Sequence, residues 1–322
     1  MVCAQQKPQY TQYVFNSLLF NPALSGIENY TDVKAGYRNQ WTGLQGAPQT
    51  SYLSLSAPLG SDFLYGDATE MPASGGDDPM SRQYSQYYQA AAPHHGIGFT
   101  LVSDKAGPIT ATNIDATYAY HIGITSKLNL SLGVAAGVSR TNLNTSELSL
   151  ENAFDPAVDN ASNAQWNPDL GVGIWAYSSD YFVGISAQQV LPQKLYFSTN
   201  NAYDQSKTTP HYYFTAGYKL FMSDDVALLP SFLIIGVKPV PVSYAINMKV
   251  SFKDVLWIGG SYRKDDSFGV LAGFNISSLI NVGYSYDITT SALNTVSYGS
   301  HEIVLSLLLN NRYKVTCPQH TF

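Results

Sequence analysis

Apolar and polar residues alternate with a period of two along most of this chain. In residues 128–138, leucine and valine occupy most of the even positions, and asparagine, serine and glycine most of the odd ones. Residues 112–122 and 280–287 alternate in the same way, with tyrosine and isoleucine on the apolar side. Because successive side chains of a strand point to opposite faces, this pattern predicts β-strands with one apolar and one small, polar face.

About fourteen segments show this alternation, and most of them are long for strands. A length of about 9 to 13 residues suits a tilted strand that crosses a bilayer, which needs about 9 to 11, whereas strands of soluble proteins average about 5 to 6. The predicted strands are 31–41, 48–58, 94–103, 109–123, 128–140, 167–177, 181–190, 211–223, 226–238, 241–252, 255–263, 266–276, 279–287 and 300–309.

The connections between these strands alternate between short and long. Very short connections are predicted at 123–127, 178–180, 224–225, 253–254 and 277–278, and long ones at 141–166, 191–210 and 288–299. Short turns that alternate with long loops are typical of outer-membrane barrels, whose turns lie in the periplasm. We therefore predict an all-β, about 14-stranded antiparallel transmembrane β-barrel over residues 31–309, with both termini in the periplasm.

One connection on the turn side is long and polar. Residues 61–92 contain Gly75-Gly76, two prolines and several acids. We predict a periplasmic insertion here that contacts periplasmic partners. The candidate contact residues are Asp62, Asp67, Glu70, Asp77 and Asp78.

Composition supports the barrel and excludes several other classes. The chain is 45% hydrophobic and only 12% charged, where about 25% charged is usual. A mean hydropathy of -0.09 follows if lipid-facing aliphatic residues are balanced by small polar residues in the lumen. A net charge of -6 disfavours nucleic acid as a partner. The alternative is a soluble β-sandwich or propeller, which would need charge on its outward face and, for blades, a repeat that we do not find.

Candidate chemistry is sparse. The six histidines are scattered, and no HExxH, GxSxG, P-loop or CxxC motif is present. The weak candidates are a lumen pair of His121 with Asp115, which we interpret as a hydrogen-bonding pair, and a calcium site at Asp155, Asp159 and Asn160. We predict no enzyme activity, no catalytic residue, no cofactor and no metal.

The two ends of the chain hold the only two cysteines, Cys3 and Cys317. Val2-Cys3-Ala4 has the small residues of a signal-peptidase site, although an ordinary N-terminus is the alternative. We predict that residues 1–30 comprise a signal remnant and an N-terminal periplasmic or plug segment, and that residues 310–322 form a periplasmic tail. A disulfide framework is not expected.

Several motifs in the N-terminal third resemble a known family. They include Phe20-Asn-Pro-Ala-Leu-Ser-Gly26, Tyr37-Arg-Asn-Gln-Trp-Thr-Gly43 and Ser56-Ala-Pro-Leu59, and further along Val102-Ser-Asp-Lys-Ala-Gly-Pro108 and Ser300-His-Glu-Ile303. The chain resembles the PorP/SprF family of type IX secretion system outer-membrane proteins. The 61–92 insertion and the tail after Leu309 depart from that pattern.

The resemblance implies a function in protein export. It implies a non-enzymatic component of the bacterial outer membrane that assists export or surface retention of a large secreted protein, such as a gliding adhesin, or links the membrane to the periplasmic ring and motor. The implied partners are outer-membrane lipid, these secretion components and the adhesin. The alternative is an outer-membrane channel or transporter for small or hydrophobic solutes.

Residues 10–24 are too apolar to hang free in the periplasm. We predict that they pack inside or beneath the barrel and plug it, the alternatives being a first strand or an amphipathic helix. The candidate lumen and plug residues are Tyr13, Phe15, Phe20, Asn21, Pro22, Arg38 and Trp41, with Arg38 and Trp41 near the lumen mouth or the outer interface.

Overall fold

The computed structural model describes residues 10–60, 88–147, 164–192, 208–223, 225–253, 255–277 and 279–311. These residues form fifteen strands and four short 3-10 helices, at Ser17–Leu19, Pro22–Leu24, Thr145–Glu147 and Ala292–Thr295. The strands are β1 (Thr31–Asn39), β2 (Gln49–Leu59), β3 (His94–Ala106), β4 (Ile109–Thr125), β5 (Leu128–Leu143), β6 (Ala164–Tyr177), β7 (Tyr181–Gln188), β8 (His211–Tyr218), β9 (Leu220–Phe221), β10 (Val226–Val237), β11 (Ser243–Phe252), β12 (Leu256–Arg263), β13 (Ser267–Ser277), β14 (Ile280–Thr289) and β15 (Ser300–Leu309).

Fourteen of these strands close into one antiparallel barrel. Each strand pairs with its neighbour in sequence, and β15 closes the ring on β1 with pairs from Thr31–Leu309 to Asn39–His301. The predicted fold is therefore confirmed, and each predicted strand overlaps a strand of the structure. The two-residue β9 is the exception, because it pairs only with β10 beside the end of β8.

The strand predicted at 211–223 is interrupted at Lys219, which divides β8 from β9. Position 230 on the opposing β10 is a proline. Strand pairing with β10 stops at Ser231–Gly217 and resumes at Leu228–Leu220, so the two positions between them do not pair with β10. Since proline has no N–H to donate, it cannot complete the ladder at this point. The N–H of Lys219 instead donates to the carbonyl of Asp180, 2.6 Å away.

The two faces of the strands follow the alternation in the sequence. On β5, Leu132 and Val134 are each 51% exposed, while Asn129 and Ser131 are fully buried. The outward positions of the other strands are likewise apolar, as at Ile185, Ile258 and Val270. The inward face is less uniformly polar than predicted, because it also carries large buried residues such as Trp175, Tyr213 and Trp257. The apolar outer wall suits a barrel that is surrounded by lipid.

The two rims of the barrel differ. The strand ends that are joined by the long connections 144–163, 189–210 and 290–299 lie at one rim, which we call the loop end together with the shorter connections 40–48, 107–108, 238–242 and 264–266. The other rim, the turn end, holds the strand ends that are joined by connections of two to four residues at 126–127, 178–180, 222–225, 253–255 and 278–279. The end of β2, the beginning of β3 and both ends of the barrel chain lie at the same rim.

In the described part of the chain, no helix is long and apolar enough to span a membrane. The five acids proposed as partner contacts, the calcium candidates Asp155, Asp159 and Asn160, both cysteines and the tail from residue 312 lie outside the described residues. The insertion at 61–92 is described only from residue 88, where the Ala90 N–H donates to the carbonyl of Ser126.

Candidate functional site: the barrel interior

Residues 10–30, which we call the N-terminal segment, are almost entirely buried. The candidates Tyr13, Phe15, Phe20 and Asn21 are each 3–6% exposed, and Pro22 is buried. The segment runs through two short 3-10 turns, the second begun by Asn21, whose side chain accepts the N–H of Ala23 at 3.0 Å. Its contacts are with inward-facing residues of strands around the ring.

One part of the segment lies on a wall of inward-facing glycines, Gly96, Gly133 and Gly173. A Cβ added at Gly133 would overlap the backbone of Ala23, and one at Gly96 would overlap the carbonyl of Ser25. A Cβ at Gly173 would overlap the Asn21 side chain. Glycine therefore allows residues 21–25 to approach the strands more closely than any other residue would.

Hydrogen bonds fix this part of the segment to the wall. The Asn21 amide donates to the carbonyls of Ile174 and Ile185 at 3.0 and 3.3 Å. Serine hydroxyls donate in the opposite direction, from Ser131 to the Ala23 carbonyl at 2.7 Å and from Ser186 to the Phe20 carbonyl at 2.6 Å. The inward serines thus satisfy backbone groups that burial would otherwise leave without a partner.

Aromatic side chains fill the space beside it. The ring of Tyr10 packs edge-on against Phe20 and Tyr52, with centroids 5.6 and 5.1 Å apart, and Phe20 packs on Tyr213 at 5.2 Å. Burial raises the pKa of Tyr13 to about 12. Its hydroxyl pairs with the Ser231 hydroxyl at 3.4 Å.

The other part of the segment meets a buried charged cluster, which we call the Arg38 cluster. Arg38 is 1% exposed and forms ion pairs with Asp287 at 2.7 Å and Glu302 at 3.0 Å. The Tyr52 hydroxyl donates to the second oxygen of Glu302 at 2.9 Å. Inward-facing positions of four neighbouring strands, β14, β15, β1 and β2, supply these four side chains.

Thr11 of the segment completes this cluster. Its N–H donates to Glu302 at 2.9 Å, and its hydroxyl donates to Asp287 and accepts from Arg38 at 2.8 Å. Arg263 of β12 adds a longer contact to the same hydroxyl, at 3.3 Å. The N-terminal segment is therefore bound to the barrel through charge-assisted hydrogen bonds, which are stronger than neutral ones.

His121 does not pair with Asp115, so that interpretation is wrong. Its ring nitrogens contact the Tyr177 hydroxyl at 3.0 Å and the Ser25 carbonyl at 2.8 Å, and its ring stacks on His94 with centroids 4.5 Å apart. Asp115 is six residues away on the same strand, about 20 Å at the usual rise per residue. His121 thus helps to hold the N-terminal segment, which the sequence alone did not indicate.

Of the predicted lumen and plug residues, Tyr13, Phe15, Phe20, Asn21, Pro22 and Arg38 lie in the interior. Trp41, expected near the lumen mouth or the outer interface, is half-buried in the connection after β1, at the loop end, where its backbone N–H donates to Ser300 Oγ at 3.1 Å. Sequence reasoning missed Thr11, Asp287 and Glu302. The available signal was a charged residue at a lumen-facing position of a predicted strand, as Asp287 is in 280–287.

Small interior cavities lie against the segment. One of about 40 Å³ lies beside Leu19 and Asp169, and one of about 30 Å³ beside Phe15 and Lys34. Each holds no more than a few water molecules. Within the described ranges, no group of three histidine, cysteine, aspartate or glutamate side chains could hold a metal ion.

Comparison with known proteins gives one family and several barrels. A family model described as "Type IX secretion system membrane protein PorP/SprF" matches residues 2–307. No curated protein matches the chain.

Among solved structures, Omp33 of Acinetobacter baumannii has a TM-score of 0.49 at 9% identity, covering 88% of this chain and all of its own. The toluene transporter TodX of P. putida has 0.48 at 10%, covering 90% and 93%. A FadL homologue of Pseudomonas aeruginosa has 0.45 at 11%, covering 94% of each chain. The barrel is established by its own strand pairing.

Proposed function

Because the chain belongs to the PorP/SprF family of type IX secretion system membrane proteins, we propose that it serves this system as a non-enzymatic scaffold in the outer membrane. In this role it assists export or surface retention of a large secreted protein, such as a gliding adhesin. The other role open to such a scaffold is to link the outer membrane to the periplasmic ring and motor.

The packing of the N-terminal segment carries this proposal. Residues 10–30 are buried inside the barrel, and the cavities of about 40 and 30 Å³ beside them are too small for a solute, which supports a barrel closed to solutes. We propose that the segment plugs the barrel, and that the protein acts through its rims. This favours a scaffold over the channel for small or hydrophobic solutes.

The difference between the two rims supports an orientation. Short turns face the periplasm in barrels of this kind, so we propose that the turn end and both termini are periplasmic. The loop end then faces outward and meets the secreted protein. The acids of the 61–92 insertion and the tail 310–322 meet the periplasmic components.

Conductance tests the plug. Purified protein reconstituted into planar bilayers is expected to show no steady current, whereas a variant that lacks residues 10–24 is expected to show open-channel steps. A matched control deletes a stretch of the insertion, 66–80, and should stay closed. Steady conductance by the intact chain would contradict the proposed scaffold and support the solute channel.

Co-purification from outer membranes tests the partners. The intact chain is expected to retain secretion-system components and a surface protein. Changing Asp62, Asp67, Glu70, Asp77 and Asp78 to their amides should release the periplasmic components and keep the surface protein. If the amide variant retains every component, the insertion is not the periplasmic docking site.

A further inference from the structure

A polar cavity of about 650 Å³ lies at the loop end, on the outer side of the barrel wall. We call it the rim cavity. Its floor is formed by Asn39, Gln49 and Lys105, which stand side by side on β1, β2 and β3 in the register Asn39–Gln49–Lys105. Their inward-facing neighbours Arg38 and Thr50 are each 1% exposed, so the floor residues belong to the outward face.

The roof of the rim cavity is the connection 40–48, which backbone hydrogen bonds hold in place. The Thr42 N–H donates to the Gly299 carbonyl, and the Tyr298 N–H donates to the Thr42 carbonyl, both at 2.8 Å. On the other side, the Gly107 N–H donates to the Gly46 carbonyl at 2.9 Å. The roof is therefore tied to both neighbouring connections, and the cavity is preformed, as binding sites usually are.

The lining is suited to an uncharged ligand with many hydroxyls. It offers the side-chain amides of Asn39, Gln45 and Gln49. The Thr42 hydroxyl donates to the Gly299 carbonyl at 3.0 Å and is therefore offered only as an acceptor. Its single cation, Lys105, pairs with Glu147 at 3.2 Å, so the cavity has no net positive charge for an anion. Amides that both donate and accept fit the hydroxyl groups of a sugar.

The wall below the rim cavity turns from polar to apolar. Along the outward face of β2, Gln49 is followed by Ser51 and then by Leu53 and Leu55, and along β3 Lys105 is followed by Ser103 and Leu101. Leu53 is 37% exposed and Ile97, further down β3, is 40% exposed. A ligand seated in the cavity would thus have its headgroup among amides and an acyl chain along the apolar wall.

We propose that the rim cavity binds the sugar headgroup of a glycolipid in the leaflet at the loop end. This site goes beyond the proposed function. It does not depend on the plug or on secretion partners, and the binding assay below does not depend on which rim faces outward.

The test is lipid binding by the full chain in an amine-oxide detergent, since sugar detergents would compete. Native mass spectrometry measures binding of monoglucosyl diacylglycerol, phosphatidylglycerol and free maltose. The glycolipid is expected to bind about tenfold more tightly than phosphatidylglycerol, as one or two extra hydrogen bonds would give. Equal binding of the two lipids would contradict recognition of the sugar. Binding of maltose as tight as that of the glycolipid would contradict a contribution from the acyl chains.

Variants locate the site. Gln49→Ala with Asn39→Ala is expected to lower glycolipid affinity about tenfold, and Lys105→Gln by less. The control is Lys253→Gln at the turn end, where Lys253 pairs with Asp225 at 3.5 Å and the lysine side chain is 55% exposed, much as Lys105 is 52% exposed. Heat-dependent gel mobility shows whether the double variant is folded. If the folded double variant binds the glycolipid with unchanged affinity, the assignment is overturned. An equal loss of affinity in Lys253→Gln would overturn it as well.

Discussion

The N-terminal segment meets the barrel in two ways, and the contrast shows how a lumen can hold a peptide. Residues 21–25 lie on Gly96, Gly133 and Gly173, where fixation depends on close approach and backbone carbonyls. Thr11 instead binds the Arg38 cluster, whose charges already pair with one another. The first contact depends on shape, so any added atom disrupts it. The second depends on charge balance, so loss of one partner disrupts it.

The largest expected effect is that of Arg38→Met. Removing the guanidinium leaves Asp287 and Glu302 buried without their cation, which should cost about 3–5 kcal/mol of unfolding free energy. Urea unfolding of the refolded barrel, followed by heat-dependent gel mobility, measures it. Arg140→Met is the control, because Arg140 stacks on Trp166 on the outward face with 5.4 Å to the ring centroid. That contact contributes about 0.5–1 kcal/mol. If Arg38→Met and Arg140→Met lose the same unfolding free energy, burial does not determine the cost of removing an arginine.

Gly133→Ala should have the next largest effect. The new methyl group overlaps Ala23, and such overpacking costs about 1–3 kcal/mol. It should also expose residues 20–26 to added protease. Gly260→Ala is the matched control, since the nearest atom to its added Cβ is the Gly269 carbonyl oxygen at 3.9 Å. If both alanines unfold at the same urea concentration as the unchanged protein, the segment does not require the glycine wall.

Thr11→Val separates the segment from the charged cluster. Valine keeps the shape and removes the hydroxyl that lies between Asp287 and Arg38, at an expected cost of about 1.5 kcal/mol. Thr11→Ser keeps the hydroxyl and should retain most of the stability. If serine and valine behave alike, the hydroxyl makes no net contribution, and Thr11 is held at the Arg38 cluster by its N–H.

The smallest effect is expected at the exposed pairs. Lys105→Gln and Lys253→Gln each remove an ion pair in which both side chains are at least 41% exposed. Solvent and salt screen such pairs, so each change should cost less than about 0.5 kcal/mol. Urea midpoints at low and high salt measure the difference, and a loss close to that of Arg38→Met would remove the distinction between buried and exposed charge.

The strands could be predicted well because alternation is a local property. The predicted 128–140 and 300–309 correspond to Leu128–Leu143 and Ser300–Leu309. The interruption at Lys219 could not be predicted, because it depends on Pro230 standing opposite on another strand. The burial of Tyr13, Phe15 and Phe20 also follows from their apolar character. The role of His121 does not, because its partners Ser25 and Tyr177 are far away in sequence.

The sequence by itself determined the strands, their apolar faces, the alternation of short and long connections and the family, because each is written in neighbouring residues. Only the tertiary structure decided which polar residues meet. Thr11, Arg38, Asp287 and Glu302 are separated by up to 291 positions and come together because the last strand closes on the first. Barrel closure places residues from opposite ends of the chain on adjacent strands. A local sequence pattern does not predict such contacts.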